Sequence, residues 1–157
     1  MSQENVERAR AVIEDFNTGE GEFDSQGTLT KLPDEEVFDP EVEWDASESP
    51  ILDLSGVYRG IEGVRLYWRT WVAAWEMRHF DFEVLDAGDR VVALFNHQVM
   101  RGRSTGIDVV VPKYAAVMTI RDGLVVHWKL YMSQSEGLEA VGLSEQDISD
   151  PIPRRSE

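Results

Sequence analysis

The stretch TIRDGLVVHWKLY, residues Thr119–Tyr131, decides the fold because it joins a hairpin turn to a strand with clear alternation. The Asp-Gly pair at 122–123 is one of the strongest short signals for a tight β-hairpin. After the turn, Trp128 falls on an apolar side of the strand, and His127 and Lys129 fall on the other side. The stretch therefore predicts a hairpin whose last strand has a core face and a polar face. That polar face is either a wet outer surface or the floor of a pocket.

Upstream of this hairpin, apolar residues recur at every second position, as they do in half-buried strands. Strands are predicted in HFDFEVLD (residues 79–86), RVVALFNHQVMRGR (residues 90–103) and IDVVVPKYAAVMTIR (residues 107–121). Turns at Asp86–Asp89 and Ser104–Gly106 join them, and Pro112 indicates a bulge or an edge position. Together with the last strand, these segments predict a four-stranded antiparallel meander.

Helices are predicted on either side of a first strand at Val42–Ala46. Residues 3–17 carry apolar residues at helical spacing, and a second helix after Gly60 carries a wide apolar stripe. The stripe contains Val64, Tyr67, Trp68, Trp71, Val72 and Trp75. A short helix is suggested around Leu29 and Leu32, and Ser135–Leu143 is predicted as a terminal helix.

This order of elements predicts an α+β fold. We expect a curved antiparallel sheet that wraps over the N-terminal helices as a cone with an internal pocket. One domain is expected over residues 1–143. Residues 144–157 are expected to form a flexible C-terminal tail, which ends in PIPRRSE.

The charge of the chain limits its partners. The 157 residues carry a formal net charge of −15 at pH 7, which repels nucleic acids and anionic lipid surfaces. No apolar run approaches the roughly 18 residues of a membrane span, and MSQENVERAR contains no signal-peptide core. The absence of cysteine excludes disulfides and thiol catalysis. We therefore expect a cytoplasmic protein with no nucleic-acid or membrane partner.

Seven segments, in this order along the chain, resemble the SnoaL-like branch of the nuclear-transport-factor-2-like superfamily. They are DFNTGE, DPEVEWDA, GVYRGIEGVRLYWRTWVAAWE, DAGDRVVAL, RGRSTGIDV, TIRDGLVVHWKLY and SEGLEAVGL. The resemblance implies the cone-shaped fold of polyketide cyclases and ketosteroid isomerases, and a homodimer that pairs through the outer sheet face. It implies less about function, because this superfamily includes enzymes, binders and assembly modules.

The known chemistries of the superfamily are each incomplete in this chain. Ketosteroid isomerases use an Asp base, whose counterpart is Asp45, and a Tyr of the first helix, where the only aromatic residue here is Phe16. Cyclases similar to SnoaL carry His-Trp-Asp in the last strand, and this chain has His127, Trp128 and Lys129 there. Epoxide hydrolases of this fold use an Arg-x-Asp motif that the central strand lacks.

Three residues remain candidates for acid–base catalysis: Asp45, His97 and His127. His97 shares a predicted strand face with Phe95 and would project into the cavity, unless it is a satisfied core histidine. Asp45 is alternatively a solvated residue at a strand end. If Lys129 is buried in the pocket, it would be a base, a nucleophile or the counter-ion of an acidic ligand. If it is not buried, it is a residue at the rim with its amine in water.

The predicted cavity walls are mostly aromatic and could enclose a flat hydrophobic ligand. The predicted ligand-binding residues are Trp44, Tyr58, Trp68, Trp75, Phe95, Tyr114, Met118, Lys129 and Tyr131. No metal site or cofactor is predicted, since the three histidines lack ligand-type spacing and no glycine-rich phosphate loop is present.

Three classes of function are compatible with these residues. The first is an isomerase- or cyclase-like enzyme without a cofactor. The second is a non-catalytic binder of a small hydrophobic molecule that is polyketide-, steroid- or isoprenoid-like. The third is a dimeric interaction module whose core is filled. The incomplete catalytic sets favour a ligand-binding protein, and they leave open whether it is also an enzyme.

Overall fold

Three helices and seven strands make up the described part of the chain. The computed structural model describes residues 2–18, 38–49 and 55–144. The elements are α1 (Ser2–Thr18), β1 (Phe38–Asp45), β2 (Val57–Arg59), α2 (Gly60–Ala74), β3 (Trp75–Asp86), β4 (Arg90–Gly102), β5 (Asp108–Val111), β6 (Tyr114–Arg121), β7 (Leu124–Tyr131) and α3 (Gln134–Ala140). The predicted helix around Leu29 and Leu32, and all of the predicted tail except Ser144, lie outside the described residues.

The strands form one open sheet in the order β2-β1-β7-β6-β4-β3, and β5 also pairs with β4. The meander of β3, β4, β6 and β7 is antiparallel, which confirms the sequence-based prediction. β1 joins it by pairing parallel to β7, so the sheet is mixed rather than wholly antiparallel. Alternation within a single strand carries no information about the direction of its partner, so the sequence did not predict this pairing.

The last hairpin turns as its sequence predicts. Asp122 and Gly123 both adopt positive φ angles, 53° and 80°, as the two central residues of a type I′ turn require. Pro112 separates β5 from β6, where one continuous strand was predicted. Because proline cannot donate a ladder hydrogen bond, the strand pairing breaks there.

Helix α1 packs on β3 and β4, and helix α2 packs on β1 and β2. Ala9, Val12 and Ile13 of α1 are buried in the main core, as their spacing predicts. Val64, Tyr67, Trp68 and Trp71 of the α2 stripe also enter this core, but the helix ends at Ala74. Trp75 has an extended backbone and begins β3, which corrects its assignment to the helix.

A second, smaller core lies on the opposite face of the sheet. It contains Leu94 of β4, Ala115 of β6 and Leu138 of α3. Gly137 allows α3 to approach closely, because a Cβ atom there would lie 2.6 Å from the Cβ of Ala115. We refer to the sheet face under α1 and α2 as the inner face and to the face under α3 as the outer face.

Candidate functional site

The centre of the inner face is a stacked pair of tryptophans. Trp44 of β1 and Trp128 of β7 are partners in the parallel register, so their side chains project from the same face. Their rings lie 4.2 Å apart between centroids and are within 5° of parallel. Helix α2 covers the stack, and Tyr67 and Trp68 place their ring centroids 5.3 and 5.7 Å from that of Trp44. The face of β7 that carries Trp128 therefore faces the core, as the alternation of the sequence predicts.

A second aromatic pair lies next to a buried hydrogen bond in the interior. Phe95 and Tyr114 stack with centroids 4.5 Å apart and an interplanar angle of 17°. The Tyr114 hydroxyl donates to Oε1 of Gln98 at 2.6 Å, and both side chains are buried. Nε2 of Gln98 donates to the sulfur of Met100 at 3.3 Å. A thioether sulfur is a weak acceptor, so the Gln98 amide keeps unused donor capacity.

The two buried phenols of this interior stay neutral. Burial raises the pKa of Tyr67 far above its ordinary value, the neighbouring Tyr58 raises it further, and hydrogen bonding to Trp44 offsets only part of this. Burial and the neighbouring Tyr67 likewise raise the pKa of Tyr114, against a smaller opposing effect from Gln98. Both phenols are therefore poor proton donors in an acid–base reaction, but they are available for hydrogen bonding.

Trp128 contributes the interior's most distinctive polar atom. The residue is 4% exposed, and its indole Nε1 is buried without a hydrogen-bond acceptor among the described residues. A buried donor without a partner costs about 1–3 kcal/mol, and such groups are uncommon in folded proteins. This atom therefore marks a place where an acceptor from outside the described chain would be stabilised.

The polar face of the last strand lies outside this interior. His127 and Lys129 alternate with Trp128 and pair in register with Glu43 and Asp45 of β1, so they occupy the outer face. Lys129 Nζ lies 3.3 Å from Oδ2 of Asp45 and 4.0 Å from Oε2 of Glu48. The structure thus brings Asp45 and Lys129 together as an ion pair.

Asp45 is held as a carboxylate. Its Oδ1 accepts from the Ser47 hydroxyl at 2.6 Å and from the Ser47 backbone N–H at 3.0 Å. Burial by itself would raise the pKa of Asp45, but the two Ser47 hydrogen bonds and the ammonium of Lys129 outweigh it and lower the pKa. Ser47 was not singled out in the sequence, although Asp-x-Ser is a common local capping pattern.

His97 occupies an exposed position on β4, away from the face of Phe95. Phe95 pairs with Phe82, and His97 pairs with Asp81, so Asn96 is an extra residue in the ladder. This bulge reverses the alternation and places Gln98, not His97, on the buried side. The predicted shared face of His97 and Phe95 is therefore wrong. The His97 ring instead contacts that of His79, with centroids 4.4 Å apart.

The predicted wall residues divide between the two cores. Five are buried in the main core, namely Trp44, Trp68, Phe95, Tyr114 and Met118. Tyr58 and Trp75 are partly buried against it, whereas Tyr131 packs against the outer-face core. The structure thus does not gather Asp45, His97 and His127 around one point, and their roles stay predictions.

Buried charge is missing from the described interior. Apart from tyrosine and tryptophan, the polar side chains that the structure describes as buried are Ser49 and Gln98, and neither of these two is ionisable. No group of three or more His, Asp or Glu residues within those same ranges is arranged to hold a metal ion. The described helices include none that is long and apolar enough to cross a membrane.

Comparison with known proteins identifies the family. The model of the SnoaL-like domain matches residues 9–128, which is more than half of the chain. The chain belongs to the SnoaL-like domain family. A search of curated proteins found no match.

Solved structures share the fold of this SnoaL-like protein. An NTF2-like protein of Burkholderia xenovorans LB400 is 19% identical, with a TM-score of 0.65, and covers 83% of this chain and 90% of its own. A proposed polyketide cyclase of Pseudomonas putida KT2440 is 16% identical, with a TM-score of 0.60. The alignment covers 85% of this chain and 95% of the cyclase. TerC, co-crystallised with polyporic acid, is 20% identical, with a TM-score of 0.50. The alignment covers 66% of this chain and 79% of TerC. At these identities the likeness establishes the NTF2-like α+β fold alone.

Proposed function

We propose that this SnoaL-like protein binds a small, largely apolar molecule between helix α2 and the inner face of the sheet. The observation that carries the proposal is the Trp128 indole N–H, which is buried without an acceptor among the described residues. A cluster of aromatic rings lies in the same core, with Trp44 stacked on Trp128, and such rings suit a flat apolar ligand. The similarly folded TerC has been co-crystallised with a small molecule, polyporic acid, which is in keeping with a small-molecule site in this fold.

Binding without catalysis is the form of this function that the interior supports best. General acid–base catalysis needs a titratable group within hydrogen-bond reach of the substrate. The side chains that the structure describes as buried include no carboxylate, imidazole or amine. Burial also keeps Tyr67 and Tyr114 neutral, since it raises the pKa of both phenols.

Isomerase- or cyclase-type proton transfer is the second candidate, with Asp45 as the base. Its lowered pKa keeps it ionised near neutral pH, and its neighbour in the chain, Trp44, belongs to the interior stack. We rank this candidate second because the Asp45 carboxylate is already engaged by Ser47 and Lys129 on the outer side of the sheet. His97 and His127, together with homodimerisation through the outer face, remain proposals without a further observation in their favour.

Calorimetric titration with 2-acetylnaphthalene tests the binding proposal. The wild-type protein should bind this planar ketone, and Trp128→Phe should weaken binding about threefold to tenfold, the value of one hydrogen bond of about 0.5–1.5 kcal/mol. Trp75→Phe is the matched control, because Trp75 lies partly buried at the edge of the same core. Absence of binding to the wild-type protein would refute the proposal, and equal weakening by both variants would remove Trp128 as the anchor.

A further inference from the structure

Gln98 is, like Trp128, an interior donor with unused hydrogen-bonding capacity, and it indicates the chemistry of the ligand. Its Oε1 is occupied by the Tyr114 hydroxyl, whereas its amide nitrogen meets only the Met100 sulfur among the described residues. Sulfur accepts hydrogen bonds weakly, and the amide has two N–H groups to satisfy. Gln98 is 3% exposed, so bulk water does not supply the missing acceptor for its amide N–H groups.

The two under-used groups of the interior are of the same kind. Trp128 Nε1 is a donor only. The oxygen of Gln98 is already bound, so the unused capacity of this amide lies in its nitrogen, which meets only the Met100 sulfur. Neither group carries a charge. A ligand that satisfies both must therefore offer hydrogen-bond acceptors, such as carbonyl or ether oxygens.

An anionic ligand fits this interior poorly. Moving a carboxylate out of water is costly unless a cation or several donors replace the water. Among the side chains whose burial the structure describes, no lysine, arginine or histidine is buried. Lys129, the cation expected to pair with an acidic ligand, is already bound to Asp45 and lies near Glu48.

We infer that the interior selects a neutral molecule bearing a carbonyl, quinone or ether oxygen over the corresponding carboxylate, with Gln98 as the specificity-determining residue alongside Trp128. This inference rests on the proposed binding function and narrows it to one ligand class. Tyr114 acts through Gln98: by donating to Oε1, it fixes the amide so that the nitrogen faces away from the phenol.

Three matched probes test the inference by calorimetry at pH 7: naphthalene, 2-acetylnaphthalene and 2-naphthoate. The ketone should bind about threefold to tenfold more tightly than naphthalene, as one hydrogen bond predicts. The carboxylate should bind at least about tenfold more weakly than the ketone. The side-chain ¹⁵N–¹H signals of Trp128 and Gln98, assigned by substitution, should shift with the ketone and not with naphthalene.

Variants separate specificity from folding. Gln98→Met should reduce the preference for the ketone over naphthalene, while naphthalene still binds. Gln98→Met/Tyr114→Phe removes the hydroxyl that the single variant leaves without its acceptor, and it should give the same result if the single variant folds poorly. Thr119→Ala is the control, because Thr119 opposes His127 on the outer face and should leave the preference intact.

The outcomes distinguish this inference from the proposed function. Binding of 2-naphthoate as tight as that of the ketone, or a preference unchanged in Gln98→Met, overturns the inference and leaves a binding protein. Failure of all three probes to bind overturns the proposed function, and the inference with it.

Discussion

Trp44 and Trp128 stack face to face across the parallel β1–β7 pair, with ring centroids 4.2 Å apart and planes within 5°. Along the described part of the chain, this contact joins the first strand, β1, to the last strand, β7, at the inner face. It also places the buried indole of Trp128 against Trp44, whose ring is in turn contacted by Tyr67 and Trp68 of helix α2. The stack is therefore both a structural link and the base of the proposed binding site.

Replacing one member of the stack should destabilise the fold strongly. Trp44 is 0% exposed and contacts rings on β1, β7 and α2. Trp44→Ala should lower the free energy of unfolding by about 3–5 kcal/mol, as large-to-small core changes do. Urea denaturation followed by circular dichroism measures the loss. Leu66→Ala, which truncates a side chain 48% exposed on α2, should cost far less, and a comparable loss there would contradict the account.

The Asp45–Lys129 pair should make stability depend on acid pH. Asp45 has a lowered pKa in the folded protein, so its contribution is present above the unfolded-state pKa and is lost as pH falls through the folded-state pKa. Asp45→Asn should cost about 1 kcal/mol near pH 7, and the difference from wild type should vanish in strong acid. Unfolding curves between pH 2 and pH 7, at about one-unit steps, measure this. A difference independent of pH would exclude the ion pair as its cause. Lys129→Met in a double-mutant cycle isolates the pair itself.

The buried phenols should make the protein sensitive to alkali. Burial raises the pKa of both Tyr67 and Tyr114, so the stability they confer is complete below the unfolded-state pKa, about 10, and is lost as pH rises above it. Absorbance at the phenolate band should show these two residues ionising only together with unfolding. The double variant Tyr67→Phe/Tyr114→Phe should lose less stability between neutral and alkaline pH than wild type. Ionisation of either phenol in the intact fold would contradict this.

Close packing of α3 should make Gly137 intolerant of any side chain. A Cβ at this position would lie 2.6 Å from that of Ala115 and 3.8 Å from Val92 Cγ2. Gly137→Ala should therefore destabilise the protein by about 1–3 kcal/mol through overpacking, despite the better helix propensity of alanine. Glu139→Ala on the exposed side of the same helix is the control, and thermal unfolding is the measurement. A more stable Gly137→Ala variant would show that α3 is not seated as described.

Much of the fold was predictable because hydrophobic periodicity and turn residues act locally. The Asp122–Gly123 turn, the meander and the buried face of α1 follow from such patterns. The parallel pairing of β1 with β7 did not, since it depends on residues far apart in the chain.

The candidate site was harder to predict than the fold because one extra residue in a strand reverses which of the following side chains face the core. Asn96 forms a bulge on β4, and it places Gln98 rather than His97 in the core. A strict alternation therefore selected the wrong polar residue of this strand. The indole N–H of Trp128 was missed for a different reason: tryptophan counts as apolar in a hydrophobic pattern, although it carries one donor that has to be satisfied.

A crystal structure of the protein grown with 2-acetylnaphthalene tests the central claim most directly. The account predicts density for the ketone between α2 and the inner face, with its oxygen about 3 Å from Trp128 Nε1 or Gln98 Nε2. Density that places the ketone only on the outer surface, or an interior closed by side chains with the Trp128 indole bonded to an acceptor of the protein, would contradict it.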